Sequence, residues 1–263
     1  MSIEISPQGY NRLPEASYRD PRYIDVSHWA EGDRTREVIG RNFGVRKAKT
    51  TFSTRPGDFG NGSITILLPG TLVLAAQTFQ DQIPLFEELG PVVLADYSNL
   101  SFSTEMLGAQ IMDFIDSPLA QNRRVNLVGV SLGAANIIDL LHENSDARSR
   151  IDRVVLMGAL YSSHDLKRGL LQDALKIAKG KGLITDPTVR AAMPFARHRI
   201  KVEHDPRLTE QEEAIKESVK HVSNRALSER TYSILSRNPI EEQTQIDSPP
   251  VLLIHWQNDE SDA

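Results

Sequence analysis

The sequence predicts an α/β protein built on a mostly parallel, doubly wound sheet, and three observations carry that reading. Short, near-continuous apolar segments recur along the chain: ITILLPG from residue 64, PVVLADY from 91, RVNLVGVS from 124, RVVLMGA from 153 and PPVLLIHW from 249. Runs of Val, Leu and Ile ending in small or polar residues are what parallel strands buried on both faces look like. Helix-period segments lie between several of them, as parallel neighbours need crossovers of a dozen or more residues. Finally, 263 residues with 40% hydrophobic content suffice for one large domain with insertions.

Taken in order, residues 1–44 mix prolines and aromatic residues without a sustained period and are expected to form an irregular arm docked by its aromatic side chains. Residues 45–161 form the first part of the core. Within it, Thr104–Ile115 places Met106, Ile111, Phe114 and Ile115 on one helical face, and Leu132–Leu141 does the same with Ile137, Ile138 and Leu141. Residues 162–240 show helices and no strand, which predicts a helical cap over the carboxyl ends of the strands. One cap helix runs from His164 to Lys179, with Leu166, Leu170, Ala174 and Ile177 on its stripe and Gly180 as its stop. A second begins at Thr209, whose spacing to Glu212 fits a capping box, and its stripe continues through Ile215, Val219, Val222 and Ala226. Residues 241–263 return to the core with the last strand and an acidic loop. That strand, apolar on both faces, is expected at an exposed sheet edge.

Composition narrows the function classes. A net charge of −5, with Lys and Arg scattered along the chain, provides no basic surface for phosphates, so nucleic acid is not an expected partner. The absence of cysteine excludes a disulfide framework, a thiolate metal site and a Cys nucleophile. The start MSIEISPQGY has no signal-peptide pattern, and the longest apolar run, 64–76, is broken by Pro69-Gly70 and too short for a bilayer. A soluble, cytoplasmic protein is expected.

The chemistry-bearing stretch is NLVGVSLGAANIIDLL, residues 126–141, in which Gly129, Ser131 and Gly133 form G-x-S-x-G. Alone, that pattern arises by chance in roughly one chain in twelve of this composition. Here it follows an apolar strand and opens a helix, where two glycines are sterically needed for a sharp turn that lifts the serine above the sheet. Ser131 is therefore read as a nucleophile at such an elbow. The alternative is a serine in a turn that needs only small residues. An oxyanion would be met by the backbone N–H of Leu132, at the start of the helix, and by an amide of the Pro69-Gly70-Thr71 turn. For Pro-Gly alone, an ordinary turn is the competing reading.

These features resemble the α/β-hydrolase superfamily over residues 45–263: Pro69-Gly70-Thr71 after the strand at 64, Asp96 ending the strand at 92, the GVSLG elbow, a helical segment after the strand at 153, and LLIHWQND. Within it, PGTLVLAAQTF and HWQNDESDA resemble the acyltransferase that couples 3-hydroxyacyl chains in rhamnolipid biosynthesis. The resemblance implies an α/β-hydrolase fold with a cap, an ester or thioester substrate, an acyl-enzyme passed to water or a hydroxyl, and neither metal nor organic cofactor. It places the triad acid at Asp259, with Asp262 and Glu260 as neighbouring alternatives.

The resemblance also implies a histidine after a further strand. The last histidine is His255, inside the strand, where it is read as packed; His164 at the cap entrance is a weaker alternative. We therefore expect residue 263 to lie short of the natural end. There are two further departures. Pro69-Gly70 stands where many relatives have His-Gly, and Asn99 and Ser101 stand where D-x-x-G-x-G-x-S has glycines, so the loop after Asp96 is expected to differ in shape. A second functional reading is a non-catalytic relative that binds a ligand or partner in the same pocket. Epoxide or haloalkane chemistry needs a carboxylate at the elbow, and Ser131 argues against it.

Overall fold

The computed structural model describes residues 22–56, 62–71, 73–158, 221–235 and 249–254. Its strands are β1 (Ile24–Asp25), β2 (Thr51–Thr54), β3 (Ile64–Leu68), β4 (Val92–Asp96), β5 (Val125–Val130), β6 (Ile151–Met157) and β7 (Val251–Ile254). They form one sheet in the order β1-β2-β4-β3-β5-β6-β7. The five strands from β3 onward are parallel, whereas β1 and β2 pair antiparallel at one edge. The predicted doubly wound, mostly parallel sheet is therefore observed.

The pleat sorts the apolar runs onto two faces. Ile64, Ile66, Leu68, Val93, Ala95, Val125, Leu127, Val154 and Leu156 join one core cluster. Leu67, Val92, Leu94 and Val128 join the other. Two helices cover the first face, α4 (Thr104–Asp116) and α5 (Leu132–Glu143), both where the sequence predicts them. The second face carries the short helices α2 (Ala75–Thr78) and α3 (Ile83–Glu87), through Ala75, Phe79 and Ile83. A further short helix, α6 (Ser145–Arg150), precedes β6. All four residues of β7 are exposed, with Leu252 the most so at 57%.

The expected irregular arm over 1–44 needs correction in its described part. Residues 22–44 contain β1, a 3-10 turn over Ser27–Ala30 and a nine-residue helix, α1 (Asp33–Arg41). Helix α1 was missed because it is short and polar, with only Thr35 and Val38 buried. Its start is organised from outside: the carboxylate of Asp113, on α4, accepts from the N–H groups of Arg34 (3.2 Å) and Thr35 (2.8 Å). A carboxylate there satisfies two orphan donors and meets the positive end of the helix dipole. This layer explains why α4 is buried well beyond its predicted stripe, with Gln110 and Asp113 inside. Gln110 exchanges side-chain hydrogen bonds with the backbone N–H (2.8 Å) and C=O (3.0 Å) of Thr50.

Asp113→Ala is expected to cost about 2–4 kcal/mol, since a buried N–H group, of Thr35, and a part-buried one, of Arg34, lose their acceptor. Asp113→Asn, which keeps one acceptor oxygen, should cost less. Urea unfolding of both variants, compared at unchanged m, checks the order.

The predicted cap helix His164–Lys179 lies outside the described residues. So does most of the helix predicted from Thr209, and its stripe is not continuous through Val222 and Ala226 as expected. Val222 and Ser223 are non-helical, and a new helix, α7 (Asn224–Leu235), starts after them. The Ser223 hydroxyl accepts from Ala226 N–H (3.0 Å), an N-cap that opens α7. Among the described residues no helix is long and apolar enough to cross a membrane.

Candidate active site at the carboxyl edge of the sheet

Strands β3 and β5 are parallel neighbours, with Leu68 paired to Gly129 at their ends. The chain leaves β3 toward β4 on one side and β5 toward β6 on the other. A crevice at such a reversal is where open α/β sheets bind their ligands.

One residue turns β5 into α5. Ser131 has φ 51° and ψ −108°, the only positive φ of a non-glycine residue among those described. For an L residue this conformation costs about 1–3 kcal/mol and persists only when its surroundings enforce it. They do. The Ser131 N–H donates to Met157 C=O at the end of β6 (2.9 Å), and its C=O accepts the first helical bond, from Ala135 (3.0 Å). Gly133 N–H donates to Pro69 C=O (3.1 Å).

Both predicted elbow glycines stand at backbone contacts. A Cβ on Gly129 would lie 2.5 Å from Ala134 N, and one on Gly133 would lie 2.2 Å from Leu68 O. The Ser131 hydroxyl and the Leu132 N–H make no hydrogen bond among the described residues. A serine hydroxyl beside a free amide at a helix N-terminus can attack a carbonyl, and the amide can stabilise the resulting oxyanion.

The second predicted oxyanion element also arrives here. A Cβ on Gly70 would sit 3.8 Å from Ser131 Cβ, so the β3 exit passes close beside the elbow. Pro69 C=O accepts from Gly133 N–H and from the Tyr97 hydroxyl (3.0 Å). Thr71 sits in a bend just beyond, with its carbonyl held by Arg230 (2.7 Å). Ser131, Leu132, Gly129, Gly133 and Thr71 are thus gathered at one place. Asp259, its neighbours Glu260 and Asp262, and His164 and His255 lie outside the described residues. Strand β7 does run parallel to β6 and reaches the same edge, where Ile254 C=O accepts from Gly158 N–H (2.9 Å). Among the described residues no group of three or more His, Asp or Glu side chains could hold a metal.

The loop after β4 is held without any left-handed residue, since neither Asn99 nor Ser101 has positive φ. Helix α7 does the holding. One Glu229 carboxylate oxygen accepts from Ser101 Oγ and Phe102 N–H, both at 2.7 Å, and the other from Arg225 Nε (2.8 Å). Ser223 adds bonds to Asn99 C=O (2.8 Å) and Leu100 C=O (3.0 Å). Asp96, buried at the end of β4, accepts from Ala75 N–H (2.7 Å) and fixes the start of α2.

Arg230 is the residue that sequence reasoning missed. It is buried, lies over the Tyr97 ring at 5.3 Å, and donates to three carbonyls: Thr71, Tyr97 (3.2 Å) and Ser98 (2.9 Å). Burial lowers its pKa from the usual guanidinium range to about 10, a fall that Tyr97 and Asp96 oppose, so it is a cation at neutral pH. A signal was present. Ala226, Arg230 and Ile234 are spaced by four, so the charge occupies a position where the helical stripe calls for an apolar side chain.

Comparison with solved structures places the architecture. A hydrolase from Pseudomonas aeruginosa PA01 aligns at a TM-score of 0.53 and 16% identity, over 78% of this chain and 76% of that one. The 2-hydroxy-6-oxo-6-phenylhexa-2,4-dienoate hydrolase from Rhodococcus sp. strain RHA1 aligns at 0.53 and 19%, over 78% and 76%. An esterase from Exiguobacterium antarcticum aligns at 0.53 and 15%, over 79% and 78%. The chain therefore has the α/β-hydrolase fold. No family model matches it, and no curated protein does.

Proposed function

We propose that the protein is a serine-dependent acyl-transferring enzyme acting on a carboxylic ester or thioester through an acyl-enzyme on Ser131. The observation that carries this reading is the strained Ser131 backbone, enforced by two glycine contacts at the switch point of the sheet. A turn that needed only small residues has no use for an L residue in a conformation glycine adopts without cost.

In the proposed reaction Ser131 Oγ attacks the substrate carbonyl carbon as a base takes its proton. The carbonyl oxygen becomes an oxyanion facing the N–H groups of Leu132 and Thr71. Collapse breaks the ester or thioester bond, and the leaving alkoxide or thiolate takes the proton from the base. Water or a hydroxyl then attacks the acyl carbon and gives its proton to the base; the Ser131 Oγ–acyl bond breaks, and Oγ takes that proton back from the base. Asp259, five positions after β7, is the proposed acid that orients the base.

A fluorophosphonate probe tests the reading on protein purified from its natural source. Mass spectrometry of the labelled digest should find the adduct on Ser131, and Ser131→Ala should remain unlabelled. No labelling above background would overturn the enzyme and favour the non-catalytic binding reading.

A further inference from the structure

The oxyanion-side loop is anchored on both flanks of the peptide that carries the Thr71 N–H. Upstream, Pro69 C=O is fixed by Gly133 N–H and the Tyr97 hydroxyl. Downstream, Thr71 C=O is fixed by a single described donor, Arg230 Nη1. The Gly70–Thr71 peptide between them is planar and contains glycine, the residue least able to resist a flip. Rotating it would turn a carbonyl where the amide should face.

Arg230 is not a surface residue that meets the loop by accident. Its guanidinium spans the exits of β3 and β4 with three donated bonds, and its Cζ lies 5.3 Å from the centroid of the Tyr97 ring. Tyr97 in turn reaches Pro69, so the same two side chains hold both ends of the loop. Helix α7 cannot slide under this load, because Glu229 and Ser223 pin it to residues 99–102.

We infer that Arg230 is a positioning residue for catalysis: from the helix that follows the segment after β6, it locks the Thr71 side of the oxyanion hole. This rests on the serine reading proposed above. It makes the reactivity of Ser131 depend on the seating of α7, a helix more than ninety residues further along the chain.

The test is the second-order rate of fluorophosphonate labelling at Ser131 in the parent chain, Arg230→Ala and Arg230→Lys. Each is measured at a temperature where circular dichroism shows the variant folded. Arg230→Ala should label on the order of 10–100-fold more slowly, the scale of a misplaced oxyanion donor. Ethylguanidinium at millimolar concentration should restore part of that loss by donating to the same carbonyls. Lysine, with one compact head for three carbonyls, should give an intermediate rate.

Parent-like labelling of folded Arg230→Ala overturns the inference and leaves the serine reading intact. Absence of labelling in the parent chain overturns both. If Arg230→Ala does not fold, Arg230→Lys carries the test, and a parent-like rate in that variant overturns the inference.

Discussion

Alanine at position 133 will cost the protein at least about 3 kcal/mol and will abolish probe labelling in whatever folds. The methyl group would sit 2.2 Å from Leu68 O, 2.7 Å from Leu68 C and 2.8 Å from Pro69 O. These are backbone atoms of the last residue of β3 and of the residue after it, and β3 is hydrogen-bonded on one side to β4 and on the other to β5. Neither the strand nor α5 can give way alone, because Gly133 N–H is itself bonded to Pro69 C=O. Overpacking against fixed backbone is among the few mechanisms that produce large single-residue losses. Gly108→Ala is the control. It lies within α4, where a Cβ would meet only Leu140 Cδ1 at an ordinary 3.7 Å. There the substitution should stabilise by about 0.5–1 kcal/mol, since alanine propagates a helix better. Urea unfolding of the pair decides the matter: Gly133→Ala at parent stability would mean that the β3–α5 contact is not as close as described.

The parts of the molecule legible in the sequence are those where one physical cause dominates. Strands β3 to β5 announced themselves because burial on both faces demands unbroken apolar runs, β6 and β7 because their Val, Leu and Ile runs are apolar even though all of β7 is exposed, and the elbow because two close backbone contacts demand glycine. The antiparallel edge was invisible for the opposite reason. Strand β2 is Thr-Phe-Ser-Thr, with a single large apolar residue, and it is buried all the same. Its polar side chains find partners that no pattern shows, as when Thr54 Oγ1 donates to Val92 C=O (2.7 Å). Helix α1 is likewise held by a carboxylate 79 residues further on.

The candidate site divides the same way. Ser131, Leu132 and the glycines form a local unit readable from five residues, and Thr71 was reached by its place after a buried strand. Arg230 and Glu229 act on loops more than a hundred residues away, and only a charge on an apolar stripe betrayed the first of them. Tertiary hydrogen bonds of this range leave no periodic trace.

The second large effect is a reversal of sign. Ser131→Gly should abolish probe labelling, lower any turnover by on the order of 10³-fold or more, and raise stability by about 1 kcal/mol. Position 131 is the N-cap of α5, and at an ordinary N-cap replacing serine by glycine costs a few tenths of a kcal/mol. The ordinary loss is absent here because the Ser131 side chain makes no capping bond. What remains is the conformational term. Serine at φ 51° and ψ −108° carries strain that glycine does not, and this relief exceeds the extra freedom glycine adds to the unfolded chain. Ser131→Ala removes the nucleophile while keeping the Cβ, so it should lose reactivity without gaining stability. Thermal and urea unfolding of the three proteins separate the contributions. A glycine variant less stable than the parent would mean that the elbow is relaxed, and the main physical reason for assigning Ser131 a nucleophilic role would fall with it. A more stable and unreactive glycine variant is the signature of a fold that holds one residue in a costly conformation for its chemistry.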